Sequence, residues 1–310
     1  MEKPQSALSS KTELAIFIQE SIKGFVRDSL ENRHPVIDQT PIFDEPLVAF
    51  ANGDDPLFME YKRIIGDFHL TPREVVGLAS SPAGVADAVS VISWVLPIAR
   101  KARLSNRKRE LTPSLHWAHT RWYGEKFNDL LREHVVSLLS GLGYLAVAPA
   151  STPTFKWVKH EGDIASIWSE RHAAYVAGLG TFSLSDGFIT PVGVAMRCGS
   201  VVANLFLPAS ERKYTNHRSN CLYYRDGSCG VCIDRCPAGA ITARGHDKKK
   251  CMRYQFRDLE ALKQRYEVEI PGCGLCQTGV PCESRIPAAA TISEQVLSAM
   301  PLLDNEPQQE

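Results

Sequence analysis

The stretch Cys229-Gly230-Val231-Cys232-Ile233-Asp234-Arg235-Cys236-Pro237 decides how the C-terminal part of this chain is read. It sets three cysteines at C-x2-C-x3-C spacing with a proline directly after the last, which is half of a bacterial ferredoxin run. A complete run has one more cysteine three residues before Cys229. That position holds Asp226, and Cys221 lies upstream as the substitute. A second group follows: Cys251, Cys273, Cys276 and Cys282, with Pro281 just before its last member. Eight of the chain's nine cysteines fall between residues 221 and 282, and eight thiolates are what two [4Fe–4S] clusters require. Two C-x2-C pairs alone also describe a zinc ribbon, but the third cysteine followed by proline and the total of eight favour iron–sulfur. Asp226 as an oxygen ligand is a weaker choice than Cys221, because Fe–S cores take thiolates.

The 310 residues leave room for one large domain or two. Thirty-five basic residues balance 35 acidic ones, which argues against affinity resting on a broad basic face toward nucleic acid. No apolar run of about 18 residues suggests a membrane span, so no membrane partner is expected. Residues Met1 to Ser10 show no basic segment followed by an apolar core, so a cytoplasmic location is expected. In that compartment, tight cysteine spacing reads as metal or redox chemistry and not as a disulfide framework.

Upstream, helical spacing covers Thr12 to Leu30 and Phe127 to Leu142, and a shorter helix is predicted over Trp168 to Val176. Ala88 to Ile98 is apolar on both faces, as in a buried strand. Further strands are expected at Tyr144 to Ala148, Phe188 to Thr190 and Gly199 to Leu207, and loops at Asp44 to Phe58 and at the basic stretch Arg100 to Arg109. Regular βαβ spacing is missing, so the expected class is α+β. It comprises a mixed sheet with flanking helices over residues 1–215, a two-cluster ferredoxin-like domain over 216–302, and a disordered tail over 303–310.

Four stretches carry a resemblance to a known family. They are Ala88 to Leu96, Glu170 to Gly180 (ERHAAYVAGLG), Phe188 to Leu207 (FITPVGVAMRCGSVVANLFL), and the two cysteine segments, including GCGLCQ at Gly272 to Gln277. Together they resemble the epoxyqueuosine reductases, cobalamin-dependent iron–sulfur enzymes related to reductive dehalogenases. The resemblance implies an oxidoreductase in which electrons pass through two [4Fe–4S] clusters to a corrinoid and then to substrate, with a carboxylic acid giving a proton. It implies an external electron donor such as a ferredoxin or flavodoxin, and tRNA as the family's substrate. By the exchange seen in two-cluster ferredoxins, one cluster would use Cys221, Cys229, Cys232 and Cys282. The other would use Cys236, Cys251, Cys273 and Cys276. Gly178, Gly180, Gly199 and Ser200 are the expected corrinoid-binding positions.

The chain departs from the family in several places. The family's Asp-Tyr-His triplet aligns with Lys126-Phe127-Asn128, and its Gly-Lys-Asn with the region of Phe182-Ser183-Leu184. The helical-repeat extension expected after the clusters is missing. These departures touch the tRNA substrate more than the cofactor. The family's proton donor falls at Ile164, with Asp163 one residue away, so Asp163 is the expected catalytic acid; a capping role is the bland alternative. Tyr175 is a rival donor. Cys198, His116, His119 and His172 read more readily as structural residues than as ligands. The basic stretch and Lys248 to Lys250 fit either phosphate contact or solvated faces. A different class stays open: an electron-transfer protein that feeds a partner enzyme and has no substrate chemistry of its own.

Overall fold

The computed structural model describes residues 10–79, 88–160 and 163–288. The tail expected over 303–310, and the end of the ferredoxin-like segment from 289, lie outside the described residues. Four strands form the central sheet: β1 (Leu47–Asn52), β2 (Ser90–Pro97), β3 (Ala146–Val147) and β4 (Met196–Ala203), in the order β1-β2-β4-β3. Every pairing is antiparallel, with Val91 opposite Val202 and Trp94 opposite Gly199, so the expected mixed sheet is corrected to an antiparallel one. The class remains helices plus sheet.

Strand β2 shows why its sequence is apolar throughout. Ile92, Trp94 and Leu96 face α1 (Lys11–Asp28) and the long central helix, while Val91 and Val95 face the opposite layer. The first layer buries Leu14, Ile18 and Ile22 of α1, each contributing about 1.5–3 kcal/mol when fully removed from water. α1 begins at a capping box, in which Ser10 Oγ accepts from Glu13 N at 3.1 Å and the Glu13 carboxylate accepts from Ser10 N at 3.0 Å. The second layer is α2 (Pro56–Ile65), α3 (Pro72–Ala79) and a later short helix, contributing Phe58, Val76 and Ala174.

Two expected loops are elements. The Asp44 to Phe58 segment contains β1, and its Asp55-Pro56 is the start of α2, with Asp55 Oδ1 accepting from Leu57 N at 3.0 Å. Turn residues on both sides mask a six-residue strand. The basic stretch is helix α4 (Arg100–Arg107), because Lys and Arg are good helix formers and Ala102 and Asn106 provide a buried face toward α5 (Leu115–Gly141). α5 also starts earlier than Phe127, at a Ser114 cap whose Oγ accepts from Trp117 N at 3.2 Å. The short helix of the second layer is α6 (Glu170–Val176). The polar segment before it is a hairpin, Trp157–His160 paired with Asp163–Ser166.

The cysteine-bearing segment carries α7 (Leu222–Asp226), α8 (Val231–Asp234), α9 (Lys248–Arg253) and α10 (Ala261–Tyr266). It is stitched to the sheet region at several points. Val194 N donates to Cys282 O at 2.8 Å and Ala195 N to Glu283 O at 3.1 Å, just before β4 begins. Leu259, Leu262 and Tyr266 pack on Ala118 of α5. Glu283, only 2 % exposed, accepts from Arg107 Nε and from Gly279 N, both at 2.7 Å. Arg103 and Arg107 of the basic stretch are thereby explained: they hold the cysteine segment. Among the described residues no helix is long and apolar enough to cross a membrane.

Candidate functional site

The eight cysteines collect around two spaces. Cys221, Cys229, Cys232 and Cys282 line a small pocket between α7, α8 and the Val280–Cys282 turn, which Cys276 also borders. Cys236, Cys251, Cys273 and Cys276 line the end of a larger cavity of about 260 Å³. The thiols influence one another within and across the two groups: Cys232 feels Cys221, Cys229 and Cys236, and Cys276 feels Cys273, Cys251, Cys236 and Cys232. Burial, reinforced by neighbouring thiols, pushes Cys232 and Cys282 up to about 12 and Cys273 up to about 11. Cys276 is pushed well above the ordinary thiol range for the same reasons. Thiols this crowded hold charge only against a positive core, so the donor set fits iron–sulfur clusters. Among the described residues no group of three or more His, Cys, Asp or Glu side chains is arranged to hold a single metal ion; the thiols border spaces instead of converging on a point. Asp226 is engaged elsewhere: its carboxylate accepts from Ser228 N at 3.0 Å and pairs with Arg225.

Beside this cavity lies a second one of about 580 Å³, bounded by α5, α6, β4 and the Trp157 hairpin. Arg121, Arg171, Met196, Arg197 and Gln277 border both, so the two form one cleft. Its walls mix apolar surface (Phe155, Trp157, Phe188, Val194, Met196) with ionic groups. Glu125 gathers Arg132 at 3.3 Å and Arg197 at 3.7 Å. Glu170 lies 3.3 Å from Arg132 and accepts from Ser200 Oγ. Burial raises the Glu170 carboxyl against the pull of Arg132. The Nε of Arg132 and Arg197 are buried without hydrogen-bond partners, and Glu170 Oε1 has only its ion pair with Arg132. A cleft with such unsatisfied donors beside apolar walls fits a large ring with an amide-bearing rim.

The expected site residues are placed as follows. Gly178, Gly180 and Gly199 are packed against the chain itself: an added Cβ would come within 2.6 Å of Glu211 O, 2.4 Å of Ile189 O and 2.5 Å of the Trp94 ring. None of the three borders the cleft, and Ser200 stands one contact behind it, through Glu170. Asp163 begins the second hairpin strand, about half exposed, with Lys248 at 3.5 Å; Lys248 in turn lines the inner cavity. Tyr175 is buried in the second layer. His116 pairs with Asp38, His119 meets Tyr266 O, and His172 meets Ser169 Oγ. Cys198 borders the cleft with its thiol pushed up to about 12 by burial.

No protein-family model matches the chain. A curated epoxyqueuosine reductase from Bacillus anthracis is 31% identical over 119 residues, 36% of this chain and 29% of that protein. Over these stretches the chain is similar in sequence to the epoxyqueuosine reductases. The enzyme from Lactococcus garvieae (strain Lg2) is 25% identical over 202 residues, 63% of this chain and 52% of its own length. The matched stretches thus span well under two-thirds of these relatives. A solved structure of epoxyqueuosine reductase from Bacillus subtilis aligns with 88% of this chain and 66% of that one, at 17% identity and a TM-score of 0.47.

Where this chain departs from the reductase triplet, the substitutes have structural contacts. Asn128 Oδ1 accepts from Trp94 Nε1 and its Nδ2 donates to Cys198 O, both at 2.9 Å. Phe127 is core, and the Lys126 ammonium lies 4.4 Å from the Trp122 ring centroid. The residues that sequence reasoning missed are the wall ions, Arg121, Glu125, Arg132, Arg171 and Arg197. Only Arg121 and Glu125 carried a local signal, four residues apart on one helix.

Proposed function

We propose that the protein is an iron–sulfur, corrinoid-dependent reductase similar to the epoxyqueuosine reductases. The observation that supports this most is a thiol quartet lining the inner end of a cleft whose outer walls are apolar and ionic. Cys221, Cys229, Cys232 and Cys282 hold one [4Fe–4S] cluster, and Cys236, Cys251, Cys273 and Cys276 the other. Arg132, Arg197 and Glu170 would hold the polar rim of a corrinoid, and Met196 and Phe188 would supply the apolar part of its site. When bound, the clusters supply one-electron steps and the corrinoid a strongly reducing cobalt centre. The protein contributes orientation, exclusion of water and a proton.

Two carboxyl groups are the candidates for that proton. Glu170 lines the cleft and burial keeps it protonated at higher pH than an ordinary carboxyl. Asp163 stands at the rim beside Lys248. Glu170 is the better-placed acid. Asp163→Asn and Glu170→Gln, each with iron and cobalt content checked, separate them: lost turnover in D163N alone returns the role to Asp163. The substrate is a reducible small group, carried on tRNA or on another molecule.

The deciding experiment is anaerobic purification, iron and cobalt assay, and EPR with and without added cobalamin. A base-off Co(II) signal on addition supports the enzyme. Iron without cobalamin uptake rejects it and leaves an electron carrier, and zinc in place of iron rejects both.

A further inference from the structure

We propose that Gln255 and His246 hold the cluster facing the cleft at a higher redox potential than its partner, so that electrons run inward from the Cys221 quartet. The inference rests on the iron–sulfur reading above and adds a direction to it.

Gln255 Nε2 donates to Cys251 Sγ at 3.1 Å, and Ala240 N donates to Cys236 Sγ at 3.3 Å. His246 Nδ1 lies 3.1 Å from the Asp186 carboxylate, and the same ring stands close enough to the Cys251 sulfur for the two to influence each other's charge. Asp186 therefore orients a donor toward a cluster ligand, the arrangement by which groups behind a metal ligand tune the metal. Hydrogen bonds to the sulfurs withdraw electron density and favour the reduced, more negative cluster. No side-chain donor among the described residues reaches the sulfur of Cys221, Cys229, Cys232 or Cys282; the amides of Cys232 and Cys282 meet their own sulfurs.

The surrounding charges push the same way. The inner cavity is walled by Arg121, Arg171, Arg197 and Lys248 against the single carboxylate of Asp186. Each added electron makes a cluster more negative, so these cations stabilise reduction there. The outer pocket is lined by serines, prolines and apolar groups with no charged side chain besides the thiols. With both clusters bound, an electron from an external one-electron donor would reach the outer cluster first and the inner one second, with no proton needed at either. Gln255 and His246 are positioning residues, acting through Cys251.

The test is an EPR-monitored potentiometric titration of the full chain, reconstituted with iron and sulfide and reduced with dithionite, without corrinoid. Wild type should show two midpoints. Gln255→Met and His246→Leu should each lower the higher midpoint and leave the other in place, and His246→Gln, which restores a donor, should bring it back. Cys251→Ser, which alters only the inner cluster, should change that same higher-potential signal. Unmoved midpoints, a shift of the lower one, or a C251S change in the lower-potential signal overturns the inference while the iron–sulfur reading stands. Wild-type protein that takes up no iron overturns both. If one variant fails to load iron, the other still decides.

Discussion

Replacing Glu283 with alanine should loosen the whole cysteine segment. Its carboxylate is 2 % exposed and accepts from Arg107 Nε and Gly279 N at 2.7 Å, with Arg103 at 3.4 Å. Breaking a buried pair from one side costs about 3–5 kcal/mol, because the other partner is stranded. Here Arg107 is 45 % exposed and rehydrates, while Arg103, at 15 %, and the Gly279 N–H do not. The lower end therefore applies: about 3 kcal/mol for E283A, roughly a hundredfold in the folding equilibrium. Glu283→Gln keeps an acceptor for Gly279 N and should cost less, about 1.5 kcal/mol, the lower end for a hydrogen bond to a charged group. Anaerobic urea unfolding followed by tryptophan fluorescence gives the loss, and iron per chain, measured in parallel, should fall because Cys282 is the neighbouring residue. An E283A protein within about 0.5 kcal/mol of wild type, a typical surface effect, would refute the idea that this carboxylate bolts the segment to α4.

Gly274 has φ +64° and its missing Cβ would lie 1.9 Å from the Trp117 indole, so G274A should cost at least about 2 kcal/mol and lose iron from the cleft-side site. Gly227, at φ +72° with open space around it, should lose only about 1 kcal/mol as G227A; equal losses in the two would contradict the packing account. Burial lowers both His34 and His69 to about 4. A histidine depressed in the folded state binds its proton first in the unfolded chain, so its contribution to stability is complete above about 6.5 and falls toward pH 4. Each should remove about 1 kcal/mol per pH unit in that window, and His69→Phe should flatten the slope seen in unfolding midpoints between pH 7 and 5.

What the sequence showed depended on how local the signal was. Cys229, Cys232 and Cys236 announce themselves because their spacing is set by one short turn of chain. Strand β2 does so because both of its faces are buried, leaving no polar position to blur the pattern. The cleft was not legible, since Arg121 and Arg132 come from α5, Arg171 from α6 and Arg197 from β4, and an isolated arginine looks like any solvated one. Arg107 was read as loop or phosphate contact because its partner lies 176 residues away. Gly178, Gly180 and Gly199, the expected corrinoid-binding positions, pack closely against the chain itself.

The same long-range contacts bear on how the two cofactors would assemble. The cleft has one wall from α5, α6 and β4 and its inner end from the cysteine segment, and the two are registered by Glu283, by Asn106 donating to Thr278 Oγ1 at 3.0 Å, and by Trp117 against Gly274. A cluster on Cys236, Cys251, Cys273 and Cys276 would fix three separate stretches of that segment, and so the width of the cleft. Anything bound in the cleft touches both sides and favours the same closed arrangement. Binding free energies are reciprocal, so cluster loading and corrinoid uptake should strengthen each other. Cys251→Ser protein should then take up added cobalamin more weakly than wild type although no wall residue of the outer cleft has changed. Equal uptake by the two, measured by equilibrium dialysis, would show that the wall formed by α5, α6 and β4 binds the corrinoid unaided.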